Sequence, residues 1–91
     1  MFNLVYTNRF KKDIKRLQRR GVNMDAFKSV IVILEESGAL PITYKPHKLS
    51  GNYAGYWEAH IKPDWLIIWR VFPEDNEVWL TRTGSHSDLF K

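Results

Sequence analysis

A chain of 91 residues with a net charge of +4 has room for one hydrophobic core and not for two, so a single domain over residues 1–91 is expected. Hydrophobic residues make up 44% of it, with four Trp, four Tyr and five Phe, which argues against disorder; the absence of Cys excludes disulfides and thiolate metal sites. No apolar run approaches the roughly 18 residues of a membrane span, and MFNLVYTNRFKK lacks the apolar core and cleavage site of a secretion signal, so a cytoplasmic protein is expected.

The order Phe-Asn-Leu-Val-Tyr over residues 2–6 predicts a short strand with Phe2, Leu4 and Tyr6 on one face. Thr7 or Asn8 then caps a helix in which Phe10, Ile14 and Leu17 recur at helical spacing and which Gly21 terminates. Seven of the fourteen basic residues, Arg9, Lys11, Lys12, Lys15, Arg16, Arg19 and Arg20, fall between positions 9 and 20 against one acid, Asp13. Such a cluster raises the local concentration of anions and suits a nucleic acid, an acidic protein or an anionic surface. A solvated helix face is the competing reading, and charge alone does not separate the two.

A second helix follows, with Asn23 as N-cap, Asp25 in its first turn, and Met24, Phe27, Val30, Ile31 and Leu34 as the apolar stripe up to Gly38. The short link makes the two helices an antiparallel hairpin. Ala39 to Gly55, with Pro41, Pro46, Gly51 and Gly55 and no sustained period, reads as a long ordered loop of the kind that carries function. Three strands come next, Tyr56 to Ile61, Trp65 to Phe72 and Glu77 to Thr83, divided by turns at Lys62-Pro63-Asp64 and Pro73-Glu74-Asp75-Asn76. The middle one is apolar on both parities, which marks an interior strand covered on both sides. The expected class is α+β: an N-terminal strand, a two-helix hairpin and a three-stranded antiparallel meander with the helices on one sheet face.

All three histidines lie in the second half: His47 in the long loop between Lys45 and Lys48, His60 near the end of one strand, and His86 just past the last. Asp64 sits in the turn after His60, and Arg82 closes the final strand. An antiparallel meander returns the end of its third strand to the edge where its first turn lies, so these groups converge. Cleaving RNA without a metal takes a base for the 2′-hydroxyl proton, an acid for the departing 5′-oxygen and a cation for the phosphorane. Imidazoles serve both proton roles near neutrality, a guanidinium such as Arg82 pairs with phosphate oxygens, and Asp64 orients a ring or accepts a proton.

Each residue also has a plainer reading. His47 is an exposed loop residue, His60 the polar side of a half-buried strand, Asp64 an ordinary turn former, and Arg82, which shares parity with Val78 and Leu80 unless a bulge intervenes, a partner in a structural ion pair. A zinc site is the sharper rival, but the histidines are separated by thirteen and twenty-six positions, and Arg82 would repel the ion. No metal and no cofactor are therefore expected. Tyr53, Tyr56, Trp57, Trp65 and Phe90 surround the same edge, where unpaired bases stack on aromatic rings, whereas Trp69 and Trp79 are expected in the core.

The segments YKPHKLSGNYAGYWEAHIKPDW, Tyr44 to Trp65, and RTGSHSDLF, Arg82 to Phe90, resemble the hallmark stretches of the YafQ branch of RelE-type toxins, and the element order resembles that family over nearly the whole chain. The resemblance implies a RelE-like fold and a type II toxin that enters the ribosomal A site and cuts messenger RNA. It implies proton transfer and positioning by His47, His60, Asp64 and His86, transition-state stabilisation by Arg82, and a substrate contact from Phe90; on the residues themselves, Trp65, Lys45 and Lys48 are the further candidates to touch RNA. The basic helix, through Arg9, Lys12, Lys15, Arg16 and Arg19, then faces ribosomal RNA or the acidic part of a cognate antitoxin, the latter in an inhibitory complex expected to be a heterotetramer. The related ParE toxins share the fold and act on DNA gyrase, so a toxin that breaks no phosphodiester is the alternative.

Overall fold

Thr7 ends one element and begins the next. In the computed structural model, which describes residues 1–90, its Oγ1 accepts from Phe10 N at 3.2 Å and donates to Leu80 O at 3.0 Å. One hydroxyl thereby caps helix α1 (Asn8–Arg19) and ties strand β1 (Asn3–Tyr6) to the strand beside it. Helix α2 (Asp25–Ser37) starts from Met24, with Asn23 Oδ1 accepting from Asp25 N at 2.9 Å, so the asparagine satisfies a first-turn donor from one position further out than expected. Gly38 closes α2 at φ +72°, and a Cβ there would lie 2.9 Å from the Phe2 ring, so both backbone and packing demand glycine.

Residues 39–55 hold more structure than a loop. His47–Lys48 form a short strand, β2, flanked by single turns of 3₁₀ helix at Ile42–Tyr44 and Gly51–Tyr53. Two paired residues are too few to leave a period in the sequence, which is why the pattern shows none. The remaining elements are β3 (Trp57–Lys62), β4 (Trp65–Phe72), a third 3₁₀ turn at Pro73–Asp75, β5 (Glu77–Gly84) and α3 (His86–Phe90). Helix α3 lies beyond the expected elements, yet Ser85 and Asp88 cap it reciprocally: Ser85 Oγ accepts from Asp88 N at 3.1 Å and Asp88 Oδ2 from Ser85 N at 3.0 Å.

The sheet order is β1-β5-β4-β3-β2, with β1 parallel to β5 and the other neighbours antiparallel. The meander is as expected, and β4 is its central strand, buried on both parities from Trp65 to Trp69. Phe10, Leu17, Phe27, Val30 and Leu34 of the two long helices form one cluster with Ala59, Ile61, Ile67, Trp69, Val78 and Leu80 of the sheet. Both helices therefore cover the same face, leaving Glu58, His60, Leu66 and Ile68 on the opposite parity. Trp79 alternates away from that core and is exposed, contrary to expectation, because Val78 and Leu80 take the inward positions.

Two irregularities place the site. In β4 and β5, Trp69 pairs with Leu80 but Ile68 with Arg82, so Thr81 is an extra residue and Arg82 lies on the face of Ile68 instead of continuing that of Leu80. Because β1 covers only Glu77 to Leu80, the rest of β5 has a bare edge, and α1 closes it: Asp13 Oδ2 accepts from Thr83 N at 3.1 Å.

Candidate functional site

Strand register brings His47, Glu58, Ile68 and Arg82 into one row across the sheet, on the face opposite the long helices. His60 lies two residues beyond Glu58 on the same face, about 7 Å along the strand. The turn after β3 presents Asp64, and α3 brings His86 back over it. The His60 and His86 rings are 5.9 Å apart between centroids.

His86 is held at two points by a single oxygen. Asp64 Oδ1 is 2.6 Å from His86 Nδ1 and accepts from His86 N at 3.1 Å. With Nδ1 engaged, Nε2 is left for substrate. The same two bonds, side-chain first, hold the Asp64 carboxyl below its ordinary value. His60 repeats the arrangement with a neutral partner: its Nδ1 is 3.3 Å from Pro63 O.

His47 is exposed, with Nδ1 3.3 Å from Lys45 O and Nε2 3.2 Å from Glu58 Oε1. Both ring nitrogens face oxygen acceptors, so a neutral ring satisfies one of them and an imidazolium both. Glu58 went unnoticed in the sequence. It is buried, its Oε2 has no hydrogen-bond partner among the described residues, and it lies between His47 and Ile68 in the row. An acid alternating with inward Ala59 and on the parity of His60 was the available signal.

Arg82 is not the open cation expected. Its Nε donates to Asp13 Oδ2 at 2.8 Å and one Nη to Oδ1 at 3.4 Å, and its side chain is 8% exposed. Asp13, with Tyr53 as a lesser contributor, holds the guanidinium more firmly protonated than usual. Trp65 departs from expectation as well: it is buried, stacked on Phe27 at 6.2 Å, and donates Nε1 to Thr83 Oγ1 at 2.9 Å, so no base reaches its ring. Phe90, in contrast, is 48% exposed on the helix that carries His86. Beside His60 runs a groove of about 310 Å³ lined by Lys45, Lys62, Thr43 and Pro63. Among the described residues, no group of three or more His, Asp or Glu side chains is gathered to hold a metal ion.

A family model described as the bacterial toxin of a type II toxin–antitoxin system, YafQ, matches residues 2–91. The chain belongs to the YafQ toxin family. It is 35% identical over 89 residues to the mRNA interferase toxin YafQ of Escherichia coli strain K12, covering 97% of this chain and 95% of that protein. The YafQ chain in the crystal structure of the E. coli DinJ–YafQ complex aligns with a TM-score of 0.88 at 34% identity, and 100% of both chains is covered. A copper-bound mutant toxin from Helicobacter pylori aligns with a TM-score of 0.89 at 34% identity, covering 99% of this chain and 100% of that one.

Within this YafQ-family fold the basic helix divides into two sets. Arg9, Lys12, Lys15 and Arg19 are exposed. Arg16 and Arg20 instead face carboxylates: Arg16 Nη1 is 3.6 Å from Asp13 Oδ1 and 3.7 Å from Asp88 Oδ1, and Arg20 grips Asp88 directly. Arg16 is thus less available to RNA than the sequence implied. No helix among the described residues is long and apolar enough to cross a membrane.

Proposed function

We propose that this type II toxin is a metal-independent endoribonuclease that cuts messenger RNA on the ribosome. The observation that carries the reading is the pair of imidazoles, His60 and His86, at 5.9 Å, each engaged through Nδ1 so that Nε2 is left for a phosphodiester. One ring takes the proton from the 2′-hydroxyl as that oxygen attacks phosphorus. The other gives a proton to the departing 5′-oxygen, so the products are a 2′,3′-cyclic phosphate and a 5′-hydroxyl end. Asp64 orients His86 and stabilises its charged form, as a carboxylate does for a catalytic imidazole. Glu58 does the same for His47 across the row.

Charge on the phosphorane is met by exposed cations, Lys45 and Lys62 of the groove beside His60, with Lys48 further along β2. Arg82 contributes through position: bonded to Asp13, it locks the end of β5 from which α3 departs. Phe90 stacks on an unpaired base. Arg9, Lys12, Lys15 and Arg19 supply the sequence-independent attraction to ribosomal RNA, and a cognate antitoxin restrains the toxin until it is removed, as the DinJ–YafQ complex of the E. coli relative supports.

Mapping messenger 5′ ends after brief induction tests the proposal. The wild type is expected to create new ends within translated messages and His86→Ala to create none. Growth arrest with intact messages in both would favour a non-nucleolytic toxin of ParE type.

A further inference from the structure

Helix α3 is five residues long and carries both His86 and Phe90. A helix so short has no stability of its own in water, so its place is set by what grips it. Asp64 holds its first residue through exposed atoms, and the Ser85–Asp88 cap is local. The second long-range grip, from α1, is on Asp88, which Arg16 Nη1 also approaches at 3.7 Å.

Arg20, the residue that ends α1, donates Nη1 to Asp88 Oδ2 at 2.9 Å and Nη2 to Oδ1 at 2.8 Å. This is the two-pronged geometry in which a guanidinium fixes a carboxylate in orientation as well as distance. The Asp88 side chain is 9% exposed although Arg20 remains half open to solvent. It lies against Gly84, where a Cβ would come within 2.8 Å of Asp88 Oδ2 and 3.0 Å of its Cβ, so the end of β5 leaves space for this carboxylate. Arg20 foremost, with Ser85, keeps the Asp88 carboxyl well below the ordinary range, so the clasp is ionised throughout the physiological span.

We propose that Arg20 and Asp88 are a positioning pair that clasps α3 to the end of α1 and so fixes His86 over Asp64 opposite His60. Arg20 is then engaged by Asp88 and not offered to RNA with its exposed neighbours on the basic helix. The proposal rests on the ribonuclease reading only for its effect on cleavage; the clasp itself has a separate readout in the Leu89 amide, which donates to Ser85 O inside α3.

The test uses the full chain as wild type, Arg20→Ala, Arg20→Lys, Asp88→Asn and the double variant Arg20→Ala with Asp88→Asn. Cleavage of ribosome-bound messenger is followed over a range of ribosome concentrations, and Leu89 amide exchange is followed by NMR. Arg20→Ala and Asp88→Asn are each expected to lower the saturating rate about tenfold, as loss of one charge-assisted contact would. Half-saturation should shift by less than about twofold, since no contact with RNA is lost. The double variant should be no worse than either single one, the signature of a shared interaction. Arg20→Lys, which keeps the charge, should recover part of the rate, and Leu89 exchange should quicken in the two single variants. An Arg20 that binds RNA gives the opposite pattern: Arg20→Ala raises the half-saturating concentration, Asp88→Asn lowers it by freeing the guanidinium, and Leu89 exchange is unchanged. That pattern would overturn the clasp. Should the wild type fail to cut RNA, the ribonuclease reading fails alone, and Leu89 exchange still decides for or against the clasp.

Discussion

Arg82 and His86 stand four residues apart, and each meets an aspartate, but the two pairs belong to different worlds. Arg82 and Asp13 are both nearly sealed from solvent, and Asp13 also accepts from Thr83 N, so this carboxylate joins α1 to the bare edge of β5. The side chains of His86 and Asp64 are 56% and 70% exposed, and the imidazole keeps a nitrogen free. A buried ion pair held by two hydrogen bonds builds a framework, and removing one partner strands a charge. An exposed imidazole steadied at one nitrogen is arranged to exchange protons. Residue type put both in the candidate set; the partner each finds tells them apart.

The sharpest way to break this contrast is His86→Ala. Cleavage should fall by about 10²–10⁴-fold, the usual contribution of a general acid or base, while the urea midpoint stays near that of the wild type. Asp13→Ala should do the reverse first, costing about 3–5 kcal/mol of stability because Arg82 is left buried and unpaired; urea unfolding measures it. Phe90→Ala comes next: it should weaken substrate association by about 1–3 kcal/mol of lost stacking, read as a raised KM at unchanged melting temperature. Trp65→Phe is smaller, costing about 1 kcal/mol of stability through the lost bond to Thr83 and leaving KM unchanged; a raised KM would return that ring to the RNA site.

The smallest effect expected is in acid. The carboxyls of Asp64 and Asp88 are held below their ordinary values, by His86 and Arg20 foremost. A group whose folded value is depressed stabilises the fold above its unfolded value, about 3.9 for Asp, and loses that contribution as pH falls through the folded value. The docking of α3 should therefore be constant from neutrality down to about pH 5 and weaken below about pH 4. Arg20→Ala should bring that weakening on at a higher pH, as the Leu89 amide resonance would show.

Much of the frame was legible in the sequence because it depends on long patterns: the helices from Phe10, Leu17, Phe27, Val30 and Leu34, and the central strand from the apolar run Trp65 to Trp69. The meander turns followed from their prolines and acids. Three features were not legible, each for a local reason. Strand β2 is two residues long and leaves no pattern. The extra residue at Thr81 changes the face of Arg82 without changing composition. Helix α3 was announced by Ser85 and Asp88 at capping-box spacing, a signal lost beside His86. Within the site, His60, Asp64 and His86 come together as the topology required, with His47 one strand away. Trp65, Arg16 and Arg82 went elsewhere because burial and pairing depend on neighbours 18 to 72 residues distant.

Single-turnover cleavage of ribosome-bound messenger in the presence of a chelator, comparing wild type with His60→Ala and His86→Ala at equal folded concentration, bears most directly on the two-imidazole centre. The wild type should release a 2′,3′-cyclic phosphate and a 5′-hydroxyl end, and each variant should lose that product by at least about a hundredfold. A wild type silenced by the chelator, or variants that cut at the wild-type rate, would contradict the assignment.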